Sequence, residues 1–179
     1  MISSPLVSYI KKSAQPALSG PAKIITCDQL LAVRSQLKKA RQTFVFTNGC
    51  FDLLHRGHVE YLCAARALGD CLAVGLNDDD GVRALKGRGR PLCPQGDRAA
   101  VLAALECVSH VCIFSGESVG SLVAALAPDV LVKGGDYAPA AIVGREHVEA
   151  HGGQVRALPL WPGTSTTQLV ERIKALPSA

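Results

Sequence analysis

From Thr43 onward, short apolar runs alternate with stretches whose apolar residues recur at three- and four-residue intervals. The runs at 43–48, 71–76, 108–114, 129–132 and 154–158 have the length of buried strands. The periodic stretches at 57–68, 97–106, 118–126, 140–151 and 165–176 predict helices. Upstream, Thr26-Cys27-Asp28-Gln29 opens a further helix to about Ala40, with Leu30, Leu31, Val33 and Leu37 as its apolar positions. Such alternation predicts a parallel sheet with helices on both faces. The glycines at 69, 134, 152 and 153 fall where helices end or strands stop.

Right-handed crossovers turn this order into a doubly wound, Rossmann-like α/β sheet of five strands. Residues 23–179 then form one domain, and the Ser-, Pro- and Ala-rich residues 1–22 a flexible N-terminal arm. One segment breaks the rhythm. Leu85-Lys86-Gly87-Arg88-Gly89-Arg90-Pro91-Leu92-Cys93-Pro94 combines glycines, prolines and cations, and reads as a loop able to close over a polyanion. Ahead of it, Asn77-Asp78-Asp79-Asp80 is an acidic run, either a helix N-cap or a ribose or Mg²⁺ contact.

Candidate chemistry concentrates in Asn48-Gly49-Cys50-Phe51-Asp52-Leu53-Leu54-His55-Arg56-Gly57-His58, where the first strong strand becomes a helix. In an α/β sheet the carboxyl end of a strand is where ligands bind. The helix start there offers free N–H groups and partial positive charge, which suits phosphate. His55 and His58 are three apart, so they share one face of the first turn. Ser165-Thr166-Thr167 opens the last helix, as a second phosphate cradle or as a plain cap. Lys133 and Asp136 follow a strand at the ligand edge, to bind substrate or to pair in a turn. His147 and His151, four apart, bring no third ligand at a telling spacing, so no metal site is assigned.

Composition narrows the class. The chain has 179 residues, 48% of them hydrophobic, enough for a sizeable core built from aliphatic side chains. A net charge of +4, with no basic run interleaved with aromatics, fits phosphorylated metabolites and not nucleic acid. The 7 cysteines include no C-x-x-C pair and are expected as reduced thiols of a cytoplasmic protein. No stretch reaches the roughly 18 apolar residues of a membrane span.

His55-Arg56-Gly57-His58 matches the His-x-Gly-His signature of the nucleotidyltransferases. Asn48 to Asp52, Val74 to Asn77, Lys86-Gly87, Arg90-Pro91, Asp97-Arg98, Pro128 to Tyr137 and Gly163 to Thr167 accompany it in order. From about residue 24 to the end, the set resembles the D-glycero-β-D-manno-heptose 1-phosphate adenylyltransferases (ADP-heptose synthases), in their stand-alone form. The resemblance implies transfer of AMP from ATP, with Mg²⁺, to heptose 1-phosphate for lipopolysaccharide core synthesis. Attack by an anionic phosphate on the α-phosphorus needs alignment and charge neutralisation and no covalent intermediate. On this reading His55, His58 and Lys86 are catalytic. Asn48, Gly49, Phe51, Gly57, Arg90, Ser165, Thr166 and Thr167 bind nucleotide; Asp52, Lys133 and Asp136 bind the sugar phosphate. Arg88 is a weaker phosphate candidate, and Arg98 either binds phosphate or completes a helix surface. Trp161 and Pro162 are expected to shape the adenine pocket. Cytidylyltransferases of the same superfamily carry an arginine just before the Ser-Thr-Thr segment, and Leu158 to Gly163 contains no cation. The alternative is transfer to another small phosphate, such as glycerol 3-phosphate with CTP. A homodimer is the expected assembly.

Overall fold

The computed structural model describes residues 23–116, 119–135, 141–159, 161–163 and 165–177. The arm expected at 1–22 and the site residue Asp136 lie outside the described residues. The strands are β1 (Ile24–Ile25), β2 (Phe44–Gly49), β3 (Cys71–Asn77), β4 (His110–Phe114), β5 (Val130–Gly134) and β6 (Gln154–Leu158). The helices are α1 (Cys27–Lys39), α2 (Arg56–Arg66), α3 (Asp79–Lys86), α4 (Gln95–Ala104), α5 (Gly120–Leu126), α6 (Arg145–Ala150) and α7 (Thr166–Lys174).

All pairings are parallel, in the order β1-β4-β3-β2-β5-β6. The sheet therefore has six strands where five were expected. The extra strand is Ile24–Ile25, which pairs with Val111 and Cys112 and is too short to show a period. From β2 the chain winds outward one way through β3 and β4, and the other way through β5 and β6. The reversal lies between β2 and β5, and a ligand crevice opens at such a point. Pairing of β2 with β5 stops at Thr47 and Val132, while β2 stays paired with β3 to Gly49 and Leu76. The strands thus part at Asn48 and Lys133.

Strand alternation divides the core in two. Phe44, Phe46 and Leu131 face Leu30 of α1, Leu126 of α5 and Val148 of α6. Val45, Leu72, Val74 and Val130 face Leu62 of α2 and Leu102 of α4. At the amino end of the sheet Arg34 grips both carboxylate oxygens of Asp129 at 2.8 Å and donates to Leu126 O and Ala127 O. That end is thereby closed, and the crevice opens at the other.

Two expectations are corrected. Residues 79–86 form a helix, so the N-cap alternative for the acidic run holds, with the Asp78 carboxylate accepting from Gly81 N at 2.7 Å, and Leu85 and Lys86, read as part of the loop, belong to the helix. Its one buried side chain beyond glycine is Val82, so it has almost no apolar period to read. Cys27 and Cys112, expected as reduced thiols, are paired as a disulfide between α1 and β4 with Cα atoms 5.6 Å apart. Among the described residues no helix is long and apolar enough to cross a membrane.

Candidate active site

At the carboxyl end of β2 the backbone of Phe51 takes a left-handed turn, φ 44°. Non-glycine residues rarely adopt this conformation, and it concentrates at ligand sites. The turn folds the Phe51 ring under Gly49, where an added Cβ would stand 3.0 Å from a ring carbon. It also sets that ring 5.3 Å from the His58 ring. His55 then caps α2 with extended backbone and no side-chain cap bond, so its imidazole is left to face the crevice. His55 and His58 stack, ring centroids 3.9 Å apart. Both Nδ1 atoms are buried without a hydrogen-bond partner among the described residues. Burial, and then the neighbouring His55, push the His58 pKa down to about 4; burial also lowers that of His55. The pair is neutral at pH 7.

The histidines form one wall of a cleft of about 640 Å³. Lys86 reaches it from the last residue of α3, and Lys133 from β5. Lys133 Nζ crosses the parting of the strands to Asn48 Oδ1 at 3.1 Å and Asn48 O at 3.2 Å. Burial, and then the charge of Lys86, lower the Lys133 pKa, with Cys50 opposing. Ser165, Thr166 and Thr167, at the start of α7, complete the cleft lining. Ser165 caps α7 by accepting from Gln168 N, and Thr166 Oγ1 donates to Leu53 O at 3.4 Å. The cleft is thus lined by the starts of two helices and by two lysines. That arrangement can bind a polyphosphate and neutralise charge developing on it.

The sequence profile of the cytidylyltransferase-like family matches residues 46–172, a span holding both histidines, both lysines and the Ser-Thr-Thr segment. The chain belongs to the cytidylyltransferase-like family. Membership places this domain among the nucleotidyltransferases. It is 53% identical over 145 residues to the bifunctional protein HldE of Pelobacter propionicus, covering 80% of this chain and 30% of that one. To HldE of Alkalilimnicola ehrlichii it is 44% identical over 171 residues, 96% of this chain and 36% of that one. The chain thus spans about a third of the length of the curated relatives it matches. In fold it is similar to a lipopolysaccharide core biosynthesis protein from Thermoplasma volcanium, with TM-score 0.56 and 24% identity over 67% of this chain and 97% of that one. It is also similar in fold to a pantoate-beta-alanine ligase from Francisella tularensis, with TM-score 0.56 and 15% identity over 88% of this chain and 74% of that one.

In this cytidylyltransferase-like domain every described residue assigned to catalysis, nucleotide or sugar phosphate lines the same cleft, while the weaker candidates Arg88, Arg98 and Trp161 do not, and several of the lining residues have contacts the sequence does not suggest. Asp52, expected at sugar hydroxyls, is 4% exposed. Its Oδ1 accepts from Leu92 N at 2.7 Å and Cys93 N at 2.9 Å, and its Oδ2 accepts from Arg90 Nε. The carboxylate therefore holds the 90–93 segment, and the nucleotide candidate Arg90 is tied to it. Phe51, expected at the nucleotide, is a core residue as well as a lining one, only 6% exposed. Arg98 neither binds at the mouth nor completes a surface. It is 1% exposed and donates to Cys93 O, Cys50 O and Asp79 Oδ1 at 2.9, 2.6 and 2.7 Å. Arg88 is exposed on the far side of Gly87. Trp161 lies under the Arg56 guanidinium at 4.1 Å, outside the cleft wall.

Sequence reasoning also missed lining residues. Asn77 ends β3 and is 3% exposed; a polar residue closing a buried strand was its one signal. Ile142 and Val143 add apolar lining to the cleft, and nothing in their spacing marks them.

Proposed function

We propose that this domain transfers AMP from MgATP to D-glycero-β-D-manno-heptose 1-phosphate, releasing pyrophosphate and forming ADP-heptose for lipopolysaccharide core synthesis. The observation that carries the reading is one cleft lined by the stacked His55 and His58, by Lys86 and Lys133, and by the start of α7. A ligand with several phosphates can meet all of them at once. The acceptor phosphate is itself the nucleophile, so the site needs no general base. Among the described residues the cleft's one carboxylate, Asp52, is engaged by the 90–93 segment.

In the proposed cycle the histidine N–H groups and Lys86 bind the phosphates and follow the charge that grows on the departing pyrophosphate. Lys133 and the α7 start hold the reacting phosphates in line. Magnesium arrives with the nucleotide, held mainly by phosphate oxygens. ATP is favoured over CTP because Leu158, Pro159 and Trp161 to Gly163 bring no cation to the start of α7.

The test is pyrophosphate release with MgATP and heptose 1-phosphate, beside MgCTP and a panel of sugar and polyol phosphates that includes glycerol 3-phosphate. Turnover with MgATP and the heptose alone is expected. Turnover with another pair would keep the mechanism and reject the substrate. No turnover across the panel by folded protein would reject the reading.

A further inference from the structure

The sugar-phosphate transfer gives Arg98 no direct task, yet it is a cation almost wholly removed from water. Burying a guanidinium is costly unless its donors are met, and here they meet three separate elements. One is the Cys50 carbonyl, in the turn that leads to the histidines. Another is the Cys93 carbonyl, in the segment that Asp52 also grips through Leu92 N and Cys93 N. The third is the carboxylate of Asp79, the first residue of α3. A neighbour on α4 fastens the same point, since Gln95 Oε1 accepts from Asp79 N at 3.0 Å.

The far end of α3 is Lys86. Eight helical residues make a rod of roughly 12 Å. It is seated by Val82 and Gly81, and by its Asp78 cap, and ends at Gly87 with φ 87°. The position of the Lys86 ammonium relative to the histidine turn is thus set from the opposite end of the helix. The atom that ties that end to the turn belongs to Arg98. We propose that Arg98, through Asp79, is a positioning residue that holds Lys86 in register with the His55–His58 turn. This rests on the phosphate-clamp reading of Lys86.

A purely structural staple would look the same in a crystal but not in a binding cycle. The probe is inorganic tripolyphosphate, which tests the cationic wall with no base or sugar. Its affinity is measured by isothermal titration for wild type, Asp79→Ala, Lys86→Ala and the double variant, with melting temperatures alongside. Each single variant is expected to weaken binding about tenfold, and the double variant no more than Lys86→Ala alone, because groups acting through one contact are not additive. Arg34→Lys is the matched control: it loosens a comparable guanidinium staple at the closed end of the sheet. It should lower the melting temperature and leave the affinity unchanged. Arg98→Lys keeps the charge and loses the fork that spans three acceptors, so where it folds it should bind like Asp79→Ala.

Wild-type affinity in Asp79→Ala would overturn the assignment. So would a double variant near a hundredfold weaker, since additive losses would mean that Asp79 acts independently of Lys86. A wild type that ignores tripolyphosphate would also remove it. An intact cycle in a protein that turns over none of the sugar phosphates would reject the heptose reaction and support the positioning role.

Discussion

His58 shows how burial sets the chemistry of one side chain. With its pKa near 4 it is an uncharged hydrogen-bond donor in the free protein, and the stacked His55 discourages it further from protonating. Removing it as His58→Ala deletes a donor aimed at developing charge, expected to cost about 3 kcal/mol, near a hundredfold in kcat. The same variant has a second readout, in stability. Unfolded, the imidazole returns to about 6.5. Between pH 6.5 and 4 the unfolded chain therefore binds a proton that the native state refuses, and stability falls as pH falls. The full shift is discounted because the ring is not wholly buried, leaving on the order of 2 kcal/mol. Urea titrations at pH 7.5 and 4.5 should show this loss in wild type and a smaller one in His58→Ala. Identical pH slopes for the two proteins would mean that His58 is not the buried neutral group described.

At the scale of elements, what could be read in the chain follows from how far each signal reaches. Strands β2 to β6 and most helices carry their own apolar period, so local sequence reveals them. Helix α3 does not: it is a short rod held by a cap and by α4, and its partners lie 16 and 19 residues away. The site divides likewise. The histidine turn is one contiguous motif and could be read directly. The duties of Asp52 and Arg98 depend on partners 38 to 48 residues distant, which no spacing rule reports. Helix α7 carries a further consequence. It has no buried residue, and Ile173 and Leu176 remain 60% and 68% exposed. Its start is tied to the histidine turn by the weak Thr166–Leu53 bond, and Arg56 of that turn lies over Trp161 just upstream. Elements with little buried surface open first. Hydrogen exchange should find α7 among the least protected helices, and Arg56→Ala should lower its protection further while leaving α1 unchanged. Uniform protection across α1 and α7 would refute that hierarchy.

Across the whole molecule the sheet behaves as two wings sharing β2. At the amino end Asp129 locks them, receiving Arg34 and also Phe44 N at 2.8 Å. At the carboxyl end the wings separate beyond Thr47 and Val132, and the Lys133–Asn48 bridge spans the gap. Lys86 and the histidines belong to the β2–β3 wing, Lys133 and α7 to the β5–β6 wing. A nucleotide whose phosphates touch both would be a cross-link that the unfolded chain cannot make. At a hundred times its dissociation constant such a ligand adds about 2.7 kcal/mol to the native state. For a domain of this size that is a rise of about 5–10 °C in melting temperature. MgATP is expected to give this shift and MgCTP, at equal concentration, a smaller one. Because the stabilisation needs both wings, Lys133→Met should reduce the MgATP shift even though Lys86 and the histidines are intact. A Lys133→Met protein with the full wild-type shift would mean that the nucleotide does not draw on Lys133, and the bridge across the parted strands would then not be part of its site.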